Sequence, residues 1–184
     1  PPQVQADSIE ALHQWLRAVR NCSKPVIAAV EGACAGAGFS LALACDLIVA
    51  ANNAVFVMAY SNVGLSTDGG ATWSLGRALP RATATELLML GGRIDAQRLQ
   101  HLGAINRLSA PGQALSEALS LADAVNERAP NVLASMKALL SDAQNATWDT
   151  HLDAERDAFV ANLHHPNGLE GIDAFLTKRK PHYR

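Results

Sequence analysis

The chain opens with an amphipathic pattern of helical period. Apolar residues recur three or four positions apart in the stretch that follows Asp7, namely Ile9, Leu12, Trp15, Leu16 and Val19. This spacing predicts a helix that buries one face. Asp7 is predicted to be its N-cap, with Glu10 three residues later as the capping-box partner.

The next stretch alternates between apolar runs and turn residues. A continuous apolar run predicts a strand buried on both faces, and the following runs predict a small-residue turn, a helix, a strand and a short strand. In order, these elements are Val26–Val30, Glu31–Gly38, about Gly38 to Cys45, Asp46–Ala51 and Val55–Met58. Two strands joined by a helix predict a parallel pair with a right-handed crossover.

Helical patterns dominate after Asp68. We predict helices over Ala71–Leu79, Thr83–Leu90, Ala96–His101 with Asp95 as N-cap, Gln113–Arg128, Val132–Ala143, Trp148–Leu163 and Gly168–Arg179. A last strand is predicted at Ile105–Leu108. The pattern therefore favours an α/β core over residues 1–110 and a helical region over residues 111–184.

The small-residue turn is the first candidate for chemistry. A strand that leads through a Gly/Ala turn into a buried helix presents free backbone N–H groups at the helix start. Such a place can hold an anion or a developing oxyanion. Alternatively, Gly32, Gly36 and Gly38 only allow the helix to pack closely on the strand. Their order, G-x-x-x-G-x-G, matches neither phosphate-binding fingerprint.

Composition narrows the class of protein. The 184 residues are 49% hydrophobic with a net charge of −2, and the one dense basic run is Lys178–Lys180, which argues against a nucleic-acid partner. Cys22, Cys34 and Cys45 lack zinc-site spacing, so we expect buried free thiols in a reducing compartment. With no signal-peptide pattern and no run long enough to cross a bilayer, the sequence predicts a cytoplasmic protein without a membrane partner or a metal.

The start of the sequence is unusual. It begins Pro-Pro-Gln-Val without Met and enters a helix almost at once, and few strands follow. We therefore expect it to be the C-terminal part of a longer protein.

Several sequence blocks carry a family resemblance. The stretch 24–47 reads KPVIAAVEGACAGAGFSLALACDL and the stretch 64–70 reads GLSTDGG. Further blocks at 91–97, 102–106 and 170–181 follow in the same order and spacing. Together they resemble the crotonase (enoyl-CoA hydratase/isomerase) superfamily, and they are closest in motif to its epoxyphenylacetyl-CoA isomerase-like members.

The resemblance implies a crotonase (ClpP-like) fold of repeated β-β-α turns with a C-terminal helical trimerisation region. It implies a homotrimer or a hexamer built as a dimer of trimers. The implied substrate is an acyl-CoA thioester, so that coenzyme A is part of the substrate. No metal or redox cofactor is implied.

The resemblance also assigns the oxyanion donors. In the family, two backbone N–H groups stabilise a thioester enolate. One falls here on Ala37, where the family usually has Gly, with Gly36 and Gly38 beside it as substrate-binding residues. The other lies in an earlier segment that also grips part of CoA and that precedes this sequence.

Two family positions hold unexpected residues. Hydratases of the family use two glutamates to handle water, and these positions fall on Ser40 and Tyr60. Neither residue is an efficient general base near neutral pH, so hydration by the two-carboxylate route is not favoured. Ser40 and Tyr60 are instead expected to position the acyl group or a water molecule.

Asp68 is the remaining acid in this region. It matches an aspartate that moves the proton in several isomerases of the family, and an apolar pocket would make its carboxylate a stronger base. The alternative is that Asp68 is a turn or N-cap residue for the helix that begins at Ala71.

Three further residues are assigned to substrate binding. Trp73 is placed in the acyl pocket together with Met58, although either could be core. Phe175 and Lys178 match positions that contact CoA, often in the adjacent subunit. Alternatively, Phe175 belongs to the core of an amphipathic helix and Lys178 to a solvated helix end.

The favoured function is therefore isomerisation of an unsaturated or epoxidised acyl-CoA, with Asp68 as the base and Ala37 as an oxyanion donor. An enoyl-CoA hydratase with atypical water-handling residues stays an alternative. So does an acyl-CoA-binding protein, or a truncated chain, with impaired catalysis. Because one oxyanion donor would be missing, we expect the 184 residues alone to be nearly inactive.

Overall fold

The computed structural model describes all 184 residues. It contains nine helices, namely α1 (Pro2–Asn21), α2 (Ala37–Ala44), α3 (Ala71–Ala78), α4 (Arg81–Leu90), α5 (Ala96–His101), α6 (Ala114–Asn126), α7 (Pro130–Ala143), α8 (Trp148–Leu163) and α9 (Pro166–Leu176). Its six strands are β1 (Ile27–Val30), β2 (Ala33–Ala35), β3 (Leu47–Ala51), β4 (Val55–Val57), β5 (Arg93–Asp95) and β6 (Arg107–Ser109). A single 3₁₀ turn spans Ser61–Val63.

The internal contacts divide the chain into two units. The first comprises Pro1–Cys22 with Val26–Leu121, and the second comprises Ser23–Pro25 with Ala122–Arg184. The division falls inside α6, later than the predicted boundary after residue 110. The assignment of 111–184 as an oligomerisation region stays a prediction.

The first sheet of unit 1 is parallel and has the strand order β1-β3-β6. Ile27 pairs with Leu47, and Val49 pairs with Arg107. The predicted parallel pairing of the first two long strands is therefore confirmed. The last strand begins at Arg107 rather than at Ile105, because Asn106 donates its N–H to Ile48 and its side-chain oxygen accepts from the same residue.

A second sheet has the order β2-β4-β5, and of its strands the sequence analysis predicted only β4, as Val55–Met58. Strand β2 lies inside the predicted small-residue turn and pairs in parallel with β4, whereas β5 pairs antiparallel with β4. Each strand of this sheet has three residues. Strands this short leave no readable alternation of apolar and polar positions.

The core of unit 1 forms around α2, which is apolar on nearly every face. Phe39 of α2 and Phe56 of β4 are fully buried, and their ring centroids lie 4.9 Å apart at an interplanar angle of 56°. Met58, Leu75 and Leu99 are also fully buried around them. Burial of these large apolar side chains removes their surface from water and stabilises the unit.

Three local predictions are wrong. Helix α1 begins at Pro2, and Asp7 lies inside it, where its carboxylate accepts from the Gln3 side chain at 2.8 Å. Proline is tolerated at a first helical position because its missing N–H would have no partner there. Strand β1 is not buried on both faces, since Ala29 is exposed. Only Cys34 is a buried thiol; Cys22 and Cys45 are half-buried.

Unit 2 contains helices α7, α8 and α9, which are joined by an asparagine network. Asn131 of α7 donates to Asn162 of α8 at 2.7 Å and accepts from the buried Asn167 of α9 at 2.8 Å. Helix α9 ends at Leu176, earlier than predicted, and Lys178 beyond it has a positive φ of 56°. A residue in this conformation ends a helix. None of the helices has the length and apolarity needed to cross a membrane.

Candidate active site

The start of α2 presents unpaired backbone donors. Gly36 precedes the helix at φ 52°, and its own N–H donates to Val57 O of β4 at 3.0 Å. The first backbone bond of the helix runs from Ser40 N–H to Gly36 O at 3.0 Å. Helix geometry therefore leaves the N–H groups of Ala37 and Gly38 without an intrahelical acceptor. Ala37 is half-buried and Gly38 is exposed, so an oxyanion can approach them.

Tyr60 and Asp68 form a hydrogen-bonded pair close to this helix start. The Tyr60 hydroxyl donates to Asp68 Oδ1 at 2.6 Å. The 3₁₀ turn after Tyr60 and the left-handed Gly64 reverse the chain, so that the loop brings Asp68 back to the tyrosine. Burial, followed by the hydrogen bond to Asp68 and the charge of its carboxylate, raises the pKa of Tyr60 to about 12. Tyr60 is therefore a neutral hydrogen-bond donor near pH 7.

The Tyr60 hydroxyl also lies against the turn that opens α2. A Cβ added to Gly36 would lie 3.2 Å from the hydroxyl oxygen of Tyr60. The Asp68 carboxylate is therefore one hydrogen bond away from the residue that precedes Ala37. The structure thus brings together Gly36, Ala37, Tyr60 and Asp68, which the sequence analysis assigned to one site.

Ser40 joins α2 to the loop that carries Asp68. Its side chain is 1% exposed, and its hydroxyl lies 3.4 Å from both Gly36 O and Asp68 O. A Cβ added to Gly69 would lie 3.0 Å from Ser40 Cβ, so the loop packs tightly here. The observed contacts of Ser40 are therefore to main chain, and they fix the position of Asp68 relative to α2.

Asp68 itself is half-buried, and one of its carboxylate oxygens has no hydrogen-bond donor. Oδ1 accepts from Tyr60, whereas Oδ2 has no protein donor. The N-cap of α3 is Gly70, so the alternative N-cap role for Asp68 is wrong. Its main-chain oxygen does accept from Ala71 N–H at 3.2 Å, which is a turn contact. Because of Tyr60, the surroundings of Asp68 are not purely apolar.

Trp73 of α3 borders a cavity of about 270 Å³, whereas Met58 is fully buried core. The guanidinium carbons of Arg20 and Arg77 lie 4.5 and 3.9 Å from the Trp73 ring centroid. The sequence analysis did not single out Arg20. The available signal was the spacing of His13, Arg17 and Arg20, which places three basic side chains on one face of α1.

Phe175 and Lys178 lie in unit 2, at and just beyond the end of α9. Phe175 is 83% exposed, so the alternative that it belongs to a helix core is wrong. Lys178 is exposed as well. Their predicted contact with CoA stays a prediction.

The titratable side chains do not form a cluster that could bind a metal ion. No group of three or more His, Cys, Asp or Glu side chains converges in a way that could hold an ion. His164 and His165 lie at helix ends, and the His165 side chain accepts from Asn167 N–H at 3.1 Å. The chain's own polar groups at the site are the Asp68 carboxylate, the Tyr60 hydroxyl and the backbone N–H groups at the start of α2.

Known proteins resemble this chain over most of its length. A family model described as enoyl-CoA hydratase/isomerase matches residues 2–184. The 1,2-epoxyphenylacetyl-CoA isomerase of Escherichia coli K12 is 37% identical over 177 residues, which cover 96% of this chain and 68% of that protein. The carnitinyl-CoA dehydratase of Proteus mirabilis is 33% identical, with 89% of this chain and 64% of that protein covered.

The solved structures give the same answer for the fold. An enoyl-CoA hydratase from Polaromonas sp. JS666 has a TM-score of 0.98 and 64% sequence identity, over 100% of this chain and 72% of that one. The chain spans 68% and 64% of the two curated relatives named above. The expected crotonase fold is confirmed, and the chain belongs to the enoyl-CoA hydratase/isomerase family.

Proposed function

We propose that this protein isomerises an unsaturated or epoxidised acyl-CoA, with Asp68 as the base. The observation that carries the proposal is the Tyr60–Asp68 hydrogen bond of 2.6 Å beside the open start of α2. It puts a carboxylate and unpaired N–H donors within one small region. These are the two groups that enolate chemistry on a thioester requires.

For an unsaturated thioester, the reaction is a proton shift within the acyl chain. Oδ2 of Asp68 takes a proton from carbon, and the electron pair of that C–H bond moves through the chain into the thioester carbonyl. The resulting enolate oxygen accepts hydrogen bonds from Ala37 N–H and from a second donor, which the resemblance puts ahead of this sequence. Asp68 then returns the proton to a different carbon, and the double bond has moved. The shift is redox-neutral, so the proposal needs no redox cofactor.

Tyr60 and Ser40 have supporting roles in this scheme. Tyr60 holds Oδ1 and so directs Oδ2 toward the substrate, and its raised pKa keeps it a donor at neutral pH. Ser40 holds the loop of Asp68 against α2 through main-chain contacts. Gly36 and Gly38 let the acyl group approach the helix start, because neither has a side chain.

Hydration is the second candidate function, and the names of related proteins favour it. The Polaromonas protein is called an enoyl-CoA hydratase, and the Proteus relative is a carnitinyl-CoA dehydratase. In a hydratase, Asp68 would activate a water molecule held by Tyr60. Isomerisation is preferred because Ser40 and Tyr60 occupy the two glutamate positions, so that Asp68 is the one carboxylate left to handle water. Ser40 is moreover buried, with its hydroxyl bonded to main chain. An acyl-CoA-binding protein without turnover is the remaining alternative.

Proton exchange in D2O tests the proposal. The chain is incubated with an unsaturated acyl-CoA, and deuterium in the acyl group is measured by mass spectrometry. We expect exchange that Asp68→Asn slows by at least a hundredfold, whereas the matched change at the exposed Asp123 of α6, Asp123→Asn, leaves it unchanged. Equal rates for the wild type and Asp68→Asn contradict the proposal. A product heavier by one water identifies a hydratase.

The contribution of the second oxyanion donor is tested by comparing the 184 residues with a longer protein. The assay is repeated on a chimera in which the segment of the Polaromonas protein that the family resemblance predicts to carry the second donor is joined to Pro1. Loss of one oxyanion donor typically costs about 10²–10³ in rate, so we expect the 184 residues alone to be slower by at least that factor. Similar rates for the two proteins would contradict a role for a donor outside these residues.

Substrate contacts by unit 2 and oligomerisation are proposed together. Large apolar side chains are exposed on its helices, and they include Met136, Leu140, Phe159, Leu169 and Phe175. Exposed apolar surface of this kind is typical of subunit interfaces. We propose a cytoplasmic homotrimer or dimer of trimers in which Phe175 and Lys178 contact CoA. Light scattering of the purified protein tests the assembly, and a monomeric mass contradicts it.

A further inference from the structure

A cavity opens in unit 1 beside the residue that follows Asp68. Its volume is about 270 Å³, and its walls include Leu16, Arg20, Gly69 and Trp73. Gly69 forms both part of this wall and the contact with buried Ser40. The cavity therefore begins next to the proposed base.

One wall of the cavity carries an uncompensated positive charge. The Arg20 guanidinium is half-buried, lies 4.5 Å from the Trp73 ring centroid and has no carboxylate partner. Arg17, on the same wall, differs because it bonds Glu10 at 2.5 Å. His13 lies 3.6 Å from the same glutamate. Glu10 thus offsets Arg17, and Arg20 is left as the unpaired guanidinium on this wall.

Stacking on Trp73 holds Arg20 in place before any ligand arrives. A guanidinium stacked on an aromatic ring keeps its planar fork of donors available for a carboxylate. Because the side chain is already ordered, less conformational entropy is lost on binding. Arg20 lies in the last turn of α1, where a basic residue can serve the helix dipole alone. The second guanidinium over the same ring, that of Arg77 at 3.9 Å, increases the positive potential there and gives Arg20 no neutralising partner.

We propose that this cavity receives the far end of the acyl chain and that Arg20 binds a carboxylate there. The preferred substrates are then mono-CoA thioesters of dicarboxylic acids, with Leu16 and Trp73 as apolar walls for the methylene groups. This inference rests on the proposed function, because it assumes that the thioester lies between Ala37 and Asp68. Arg20 acts as a specificity residue and takes no part in proton transfer.

Two saturated thioesters of equal chain length test the inference by calorimetric titration of the full chain. Hexanoyl-CoA ends in a methyl group, and the mono-CoA thioester of hexanedioic acid ends in a carboxylate. We expect the carboxylated thioester to bind at least tenfold more tightly. Arg20→Gln removes this preference and leaves hexanoyl-CoA affinity unchanged, Arg20→Lys retains part of it, and the control Arg81→Gln, an exposed residue of α4, retains all of it.

The outcomes separate this inference from the proposed function. Equal affinity for the two thioesters in the wild type overturns the inference alone, as does a preference that survives Arg20→Gln. If Arg20→Gln weakens both thioesters equally, Arg20 binds a CoA phosphate and the inference is overturned. Failure of both thioesters to bind overturns the inference, and deuterium exchange by the chimera described above then decides on the proposed function. When only the carboxylate preference is absent, deuterium exchange into an unsaturated acyl-CoA still tests the role of Asp68.

Discussion

The hydroxyl of Tyr60 donates a hydrogen bond of 2.6 Å to Oδ1 of Asp68. Burial is the main reason why the pKa of Tyr60 rises to about 12, and the adjacent carboxylate raises it further. A neutral tyrosine fixes one carboxylate oxygen and leaves the other without a protein donor. The pair thus consists of one acid and one neutral hydrogen-bond donor.

Tyrosinate absorbance measures this pair directly. The chain has two tyrosines, so Tyr183→Phe leaves Tyr60 as the only reporter. We expect its absorbance to change near pH 12. Adding Asp68→Asn removes the carboxylate charge, so the midpoint should fall but stay above the ordinary value because burial persists. A midpoint near 10 in Tyr183→Phe would contradict the hydrogen-bonded, partly buried pair.

The raised pKa of Tyr60 has a consequence for the stability of the fold. A raised pKa in the folded state means that folding favours the protonated phenol. This contribution is fully present below the ordinary tyrosine pKa of 10 and is lost as the pH rises toward 12. Urea unfolding at pH 9 and pH 11 should show a loss of stability that is smaller in Tyr60→Phe than in the wild type. An equal loss in both proteins would exclude Tyr60 as its source.

Substitutions at Gly69 and Gly70 distinguish the effect of crowding against Ser40 from the effect of backbone strain. Both have positive φ, 59° and 74°, but a Cβ at Gly69 would meet Ser40 Cβ at 3.0 Å, whereas a Cβ at Gly70 meets nothing within 4 Å. Each alanine substitution should cost about 1–2 kcal/mol in the free energy of unfolding through its backbone conformation. Gly69→Ala should cost more than Gly70→Ala, and it should also slow deuterium exchange by displacing Asp68. Equal effects at both positions would show that the Ser40 contact relaxes freely.

The sequence predicted the long elements of the fold, and the structure brings Gly36, Tyr60 and Asp68 close together, whereas the roles of the site residues stay predictions. The β1–β3 pairing and the stretch Trp148–Leu163 follow from apolar periodicity, and Ala37 and Asp68 were assigned through the family resemblance. Strands β2 and β5 were missed because β2 consists of small residues inside the predicted turn and β5 has a single apolar residue, whereas the equally short β4 belongs to an apolar run. The Arg20–Trp73 contact was missed because it joins residues far apart in the chain, and no local pattern encodes such a contact.

Glu31 caps the start of α6 from a distant position in the sequence. Its two carboxylate oxygens accept from Ala114 N–H at 2.8 Å and Gly112 N–H at 3.1 Å. Glu31→Ala leaves these donors unpaired and removes a negative charge from a helix N-terminus, so it should destabilise the protein by about 1 kcal/mol. Glu31→Gln keeps one acceptor oxygen and should cost less. Chemical denaturation measures both, and equal loss in the two variants would contradict the capping role.

Glu170 and Arg179 join the end of the chain to α9 in a pH-dependent way. Arg179 bonds both carboxylate oxygens of Glu170, at 2.6 and 2.9 Å, and His182 N–H adds a bond at 2.8 Å. The Arg179 hydrogen bonds are the main reason why the pKa of Glu170 falls from its ordinary 4.5 to about 2. Because the shift is downward, the ion pair stabilises the fold above pH 4.5, and that contribution is lost as the pH falls toward 2.

Carboxyl NMR titration tests the direction of the Glu170 pKa shift and its cause. Glu170 should titrate near pH 2 in the wild type. In Arg179→Gln it should titrate closer to 4.5, although still below that value because the His182 N–H bond remains. Arg156→Gln is the matched control, since Arg156 pairs with Asp153 and Asp157 of α8. If Glu170 titrates near 4.5 in the wild type, or near 2 in Arg179→Gln, Arg179 is not what holds the carboxylate charged.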